Sequence, residues 1–109
     1  MDYKGTIVES SLADKGILNR LNIVKKYPSG SWTLYDVFVG EQQVEELAQY
    51  LDDGPWYIHL WKSAQDEVKV IFKNKVFTIQ YSDKATWADT VAYGKSIGIP
   101  DEQLDFPID

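Results

Sequence analysis

The sequence predicts an α+β domain: a mainly antiparallel sheet of about five or six strands with two main helices packed on one face. Three observations carry this expectation. Runs rich in β-branched and aromatic residues alternate apolar and polar positions between turn residues. Two other stretches change the apolar period from two to 3.6. The connections between neighbouring runs are short, which favours hairpins over parallel crossovers.

Lys4 to Glu9, with Thr6, Ile7 and Val8 at its centre, reads as the first strand, and Ser10 to Asp14 as a brief helical turn ended by Gly16. Leu21 to Tyr27 alternates and stops at the turn signal Pro28-Ser29-Gly30. Trp32 to Val39 then pairs back on it as a hairpin and closes at Gly40. Val44, Leu47, Ala48 and Leu51 fall at i, i+3, i+4 and i+7, which predicts the first main helix, broken at Asp52-Asp53-Gly54-Pro55. Trp56 to Lys62 is a strand, joined through a loop at Ser63 to Asp66 to the hairpin Glu67 to Tyr81. An Asn74-Lys75 turn in that hairpin would set Phe72 opposite Phe77, Val70 opposite Ile79 and Val68 opposite Tyr81. Ser82-Asp83 caps a second main helix with a stripe of Trp87, Val91, Gly94 and Ile97, ended by Gly98 and Pro100. Gly94 is expected where that helix meets the sheet. Pro100-Asp101-Glu102 opens a further short turn, and residues 105–109 form an extended tail. The place of the first strand in the sheet stays open.

At 109 residues, 44% apolar and 26% charged, the chain makes one domain over 1–109 with a core of its own. With no Cys and one His there is no disulfide, no thiol nucleophile and no zinc ligand set, and Asp52-Asp53, Asp66-Glu67 and Asp101-Glu102 with Asp105, which lack the spacing of a calcium loop, read as solvated loop charge, so no metal is expected. A net charge of -6 disfavours nucleic acid as a partner, and Lys69, Lys73 and Lys75 beside Phe72 and Phe77 are read as solvated charge around a turn. Phosphate loops, dinucleotide fingerprints and nucleophile elbows are absent, so no cofactor is expected. The start Met1-Asp2-Tyr3-Lys4-Gly5 has no apolar leader, and no window approaches the ~20 apolar residues of a membrane span. The expectation is therefore an acidic, cytoplasmic protein without membrane contact.

His59, flanked by Tyr57 and Trp61 on one side of a strand and by Ile58 and Leu60 on the other, is expected to serve packing rather than proton transfer. No catalytic residue is assigned. Four Trp, seven Tyr and four Phe are many for this length and concentrate in the strands, among them Trp32, Tyr35, Trp56, Tyr57, Trp61, Phe72 and Phe77. In the Asn74-Lys75 register Ile71 and Val76 point to the sheet face away from the helices, and a four-residue loop at Ser63 to Asp66 would send Ile58 and Leu60 to the same side, where they join Ile71 in an apolar strip bordered by lysines. The candidate binding residues are thus Ile58, His59, Leu60, Trp61 and Ile71, on an exposed sheet face that takes a protein partner or a second copy of the chain. The preferred function is a non-catalytic binding or interaction module. The alternative is a small enzyme or small-molecule-binding domain centred on His59 with Tyr57, Trp61 or Tyr35. A deep pocket at His59 would favour the alternative, and cover of the strip by the N-terminal segment or the tail would remove the interface.

Lys4-Gly5-Thr6-Ile7-Val8-Glu9, Asp83-Lys84-x-Thr86-Trp87 and Tyr93-Gly94-Lys95-Ser96-x-Gly98-Ile99-Pro100-x-Glu102-Gln103-Leu104-Asp105-Phe106 span nearly the whole chain. With these motifs the sequence resembles a family of small uncharacterised proteins of bacteria and archaea. The resemblance implies no particular activity, substrate or catalytic residue.

Overall fold

Six antiparallel strands form a single sheet: β1 (Tyr3–Val8), β2 (Asn22–Ser29), β3 (Trp32–Val39), β4 (Ile58–Trp61), β5 (Glu67–Phe72) and β6 (Lys75–Gln80). Their spatial order is β2-β3-β1-β4-β5-β6. The two main helices are α1 (Glu41–Tyr50) and α2 (Ala88–Ser96), so the α+β class holds. The computed structural model describes residues 2–62, 65–104 and 106; the expected tail, Phe106 apart, and residues 63 and 64 of the loop before β5 lie outside them. Among the described residues no helix is long and apolar enough to cross a membrane.

β1 is central, paired with β3 along its whole length and with β4 through Lys4 opposite Trp61 and Gly5 opposite Leu60. Its alternate residues Tyr3, Gly5 and Ile7 are buried on one face, while Lys4, Thr6 and Val8 are half-buried on the other. In β4 and β5 the apolar residues occupy both faces: Ile58, Leu60 and Ile71 share a cluster with Tyr3 and Ile7, and Val68, Val70 and Phe72 belong to a second cluster.

The helices consequently do not share a face, as the sequence suggested, but take opposite ones. A sheet that is apolar on both sides is a middle layer and requires a cover on each. Val44, Leu47 and Ala48 of α1 close the first face together with the N-terminal segment. Trp87, Val91 and Tyr93, with Ile99, Leu104 and Phe106, close the second face over β4, β5 and β6. There Tyr93 meets Phe72 edge-on at 4.9 Å between ring centroids, and Trp87 packs on Phe106 at 5.1 Å while its indole N–H donates to the Gln80 carbonyl.

The N-terminal cover consists of two 3-10 helices, Glu9–Ser11 and Lys15–Arg20. The Asp14 carboxylate accepts from the Gly16 N–H at 2.8 Å, so Gly16 opens the second of these turns rather than ending a single one. Arg20 clamps this segment to α1 by donating to the Tyr50 hydroxyl and pairing with Glu46, while its carbonyl accepts from Gln43 Nε2. A bridge between Leu12 and Leu51 closes the seam.

Two turns fall elsewhere than expected. β2 continues through Pro28 and Ser29, and its turn is Gly30-Ser31, with Gly30 at φ 61°. β2 is an edge strand, where the missing proline N–H is tolerated. In the β5–β6 hairpin the turn is Lys73-Asn74, which pairs Phe72 with Lys75, Val70 with Phe77 and Val68 with Ile79. The slip is two residues, so every side chain keeps its expected face. Asn74, at φ 58°, fills the second turn position, and its N–H donates to the Ala48 carbonyl of α1 at 2.8 Å. Phe72 and Phe77 meet diagonally, edge-on at 5.7 Å.

Gly94 also has a different neighbour: a Cβ there would lie 2.6 Å from Cδ2 of Leu104, so the C-terminal segment and not the sheet approaches it. The tighter constraint is Gly5, where a Cβ would stand 2.6 Å from the His59 carbonyl oxygen and 2.7 Å from Leu60 Cδ2. Backbone cannot rotate away as a side chain tip can. Gly5→Ala is expected to lower the stability measured by chemical denaturation by about 1–3 kcal/mol; an unchanged midpoint would show that β4 yields without cost.

Tyr3 supplies a pH test. Its ring is fully buried, its hydroxyl donates to Glu67 Oε2 at 3.1 Å, and burial followed by that bond pushes its pKa from 10.0 up to about 12. Because the folded state holds the proton more tightly, the contribution is complete below pH 10 and is lost as pH rises from about 10 through 12. Denaturation midpoints followed over that window should fall less steeply for Tyr3→Phe than for the parent chain.

Candidate functional site

The second sheet face is covered over β4, β5 and β6 and left open over β2, β3 and β1. Strand pairing arranges the open part in rows. Lys4 lies between Phe38 and Trp61, Thr6 is beside Asp36, and Val8 is beside Leu34 and, beyond it, Tyr27. The central row is polar: Asp36 Oδ1 accepts from the Thr6 hydroxyl at 2.8 Å and from the Tyr27 hydroxyl at 3.1 Å. Burial, and then the bond to Asp36, raise the Tyr27 phenol above its ordinary pKa. This satisfied network orients Asp36 between two apolar flanks.

Each flank has a cavity, and Thr6 is common to both. One, of about 270 Å³, runs between Lys4, Val24, Asp36, Phe38 and Trp61. The other, of about 420 Å³, has walls of Val8, Trp32, Leu34, Trp56, Tyr57 and His59. Trp32 comes from β3 just after the Gly30-Ser31 turn, and Trp56 from the segment that Gly54 and Pro55 turn into β4. Their rings meet edge to face with centroids 5.9 Å apart. The imidazole of His59 stacks on Trp61 at 5.2 Å and 23°, and lies 6.1 Å from Tyr57 and 6.0 Å from Phe106. Tyr57 is itself fixed by donating its hydroxyl to the Gln103 carbonyl.

Of the residues singled out by the sequence, His59 and Trp61 are half-buried on this face with Tyr57. Ile58, Leu60 and Ile71 are not: they face the other way and are 1%, 0% and 0% exposed beneath α1 and the N-terminal segment. The exposed strip expected there is core, because α1 covers the face assigned to solvent. Tyr35 is on that face too, with its hydroxyl donating to Glu9 at 2.6 Å, and does not join His59.

Thr6, Val8, Leu34, Asp36 and Phe38 were not legible as site residues. The available signal was Asp36, a carboxylate between Tyr35 and Val37 inside a strand otherwise rich in apolar residues, which points to an open face at that register. The lysines near the β5–β6 turn are engaged within the chain: Lys73 pairs with Asp53 at 2.8 Å, Lys69 bonds Thr78 at 2.8 Å, and Lys75 lies over Phe77 and Tyr93. Among the described residues no group of three or more His, Asp or Glu side chains is gathered closely enough to hold a metal ion. In comparisons with protein-family models, curated proteins and solved structures, nothing matches this chain.

The assignment of the two faces has a direct check. Ile71→Lys places a charge beneath α1 and should unfold the chain or cost about 3 kcal/mol or more. Phe38→Ser, at a side chain 37% exposed, should shift the thermal midpoint little. Equal responses of the two variants would overturn the assignment.

Proposed function

We propose that this protein is a non-catalytic binding domain that takes a small, largely apolar ligand on the open half of its second sheet face, next to His59. The carrying observation is the cavity of about 420 Å³ walled by Trp32, Leu34, Trp56, Tyr57 and His59. That volume lies within the roughly 300–1,000 Å³ of small-molecule sites, and the lining has their usual make-up of aromatic and aliphatic carbon with a few polar groups. Trp32 is 46% exposed and meets Trp56 edge to face, so the two indoles together present apolar ring surface at the cavity wall. The walls are pre-formed: the strand pairing fixes Trp32 and Leu34, and stacking and hydrogen bonding fix His59 and Tyr57.

A library of small aromatic and aliphatic compounds, followed through the indole N–H resonances of the isotopically labelled protein, tests this. Ligands should shift Trp32 and Trp56 together. Trp32→Ala, which removes an exposed side chain, should weaken them by about tenfold or more with the fold intact. Ligands that shift neither indole, or that bind Trp32→Ala unchanged, would overturn the proposal.

A further inference from the structure

The two cavities lie end to end on the same three strands. Lys4 and Thr6 of β1, Asp36 and Phe38 of β3 and Trp61 of β4 line the smaller one. The alternate residues that follow on those strands, Val8, Leu34, Trp32 and His59, line the larger. Thr6 belongs to both, and the stack of His59 on Trp61 continues the β4 wall across the junction. From Lys4 to Val8 is four residues of extended strand, about 13 Å. The ends differ in chemistry. The smaller cavity has one cationic and one anionic residue, Lys4 and Asp36, beside Val24, Phe38 and Trp61. Among the described lining residues of the larger, none is Lys, Arg, Asp or Glu. Three strands of six to eight residues give the open face a footprint of roughly 14 Å by 20 Å, short of the ~800 Å² that each partner of a stable protein complex contributes.

We infer that the two cavities are one groove for a single elongated amphiphile, a deduction that rests on the binding role proposed above. Its linear apolar chain lies against Val8, Leu34, Trp32 and Trp56, and its uncharged hydrogen-bonding head sits at Thr6, Asp36 and Lys4. At the junction stands Thr6, a small side chain whose hydroxyl is turned to Asp36 at 2.8 Å, so a chain passes over it from one cavity to the other. The head is uncharged because Lys4 and Asp36 oppose each other in sign. A carboxylate or an ammonium would be attracted by one and repelled by the other, whereas a hydroxyl or an amide both donates and accepts and meets no like charge. The chain end follows from the larger cavity, where aliphatic and aromatic carbon predominates and each methylene taken out of water strengthens binding.

The test titrates the purified chain with butan-1-ol, hexan-1-ol and octan-1-ol, and with octanoate and octylammonium at matched ionic strength. Affinity for the alcohols should rise about threefold or more per added methylene. Intermolecular nuclear Overhauser contacts locate the ligand. Butan-1-ol should touch Trp32 and Trp56 alone, while octan-1-ol should place its methyl end at Trp32 and Trp56 and its hydroxyl end at Phe38 and Trp61. Phe38→Ser, at an exposed side chain, should weaken octan-1-ol about threefold or more and leave butan-1-ol unchanged, whereas Trp32→Ala should weaken both. Circular dichroism verifies that the variants keep the fold. Octan-1-ol confined to Trp32 and Trp56 and indifferent to Phe38→Ser would overturn the single groove and leave the apolar site standing. Tighter binding of octanoate or of octylammonium than of octan-1-ol would overturn the uncharged head. Contacts of the hydroxyl end with Trp32 would overturn the orientation. Binding of no alcohol would overturn the amphiphile, with the compound library then deciding the site itself.

Discussion

The sheet hangs on the seam between β1 and β4. β2 and β3 form one hairpin and β5 and β6 another, with β4 paired to the second, and β1 is the strand that makes a single sheet of them. At the seam Gly5 faces the His59 carbonyl so closely that no side chain fits. The backbones are held at pairing distance on the side where Tyr3, Ile7 and Leu60 belong to one buried cluster. Any residue with a Cβ at position 5 would push β4 outward and open the core of the first face. The seam also sets the site, because it places Thr6 on one strand next to His59 and Trp61 on the other.

From this arrangement follows the uneven dressing of the two faces. The first is closed over its centre by α1 and the N-terminal 3-10 turns, with Arg20 tying the two covers together, while Ile23 of β2 and Thr78 of β6 stay exposed at its edges. The second is closed only over β4, β5 and β6, since α2 is short and the chain after it turns back through Leu104, beside Gly94, to bring Phe106 against Trp87 and Tyr57. The rest of that face stays open, and its side chains reflect it: a hydrogen-bonded carboxylate, a threonine and half-exposed aromatics instead of a dry aliphatic layer. A rigid, partly uncovered sheet of this kind supports a pre-formed site because the wall residues are held by strand pairing and ring stacking.

The β5–β6 hairpin shows how local and tertiary preferences share control. Alternation determines which side chains go to which face, and that survives any slip by an even number of residues. Register is decided by finer contacts: Asn74 accepts the positive φ of the second turn position, and its N–H finds the Ala48 carbonyl on a helix distant in sequence. The β2–β3 turn moved for a related reason. Pro28 reads as a strand breaker in sequence, but at a sheet edge its missing donor goes unnoticed, and Gly30 supplies the positive φ of the turn two residues later.

By itself the sequence determined the α+β class, the existence and order of six strands and two main helices, the stops at Gly54 and Gly98, and the shared face of Tyr57, His59 and Trp61, whereas Asp83, expected to cap the second main helix, caps a 3-10 turn, Lys84–Trp87, that leads into it. These depend on period, composition and backbone preference, all of which act within a few residues. Only the tertiary structure decided that β1 lies at the centre, that α1 and α2 take opposite faces, and hence that Ile58, Leu60 and Ile71 are core while Thr6, Asp36 and Trp32 line the open groove. The physical reason is that an apolar residue carries no mark of which cover it will meet. β4 and β5 are apolar on both sides, and the choice of the side left open was made by chain connectivity and by how far each cover reaches.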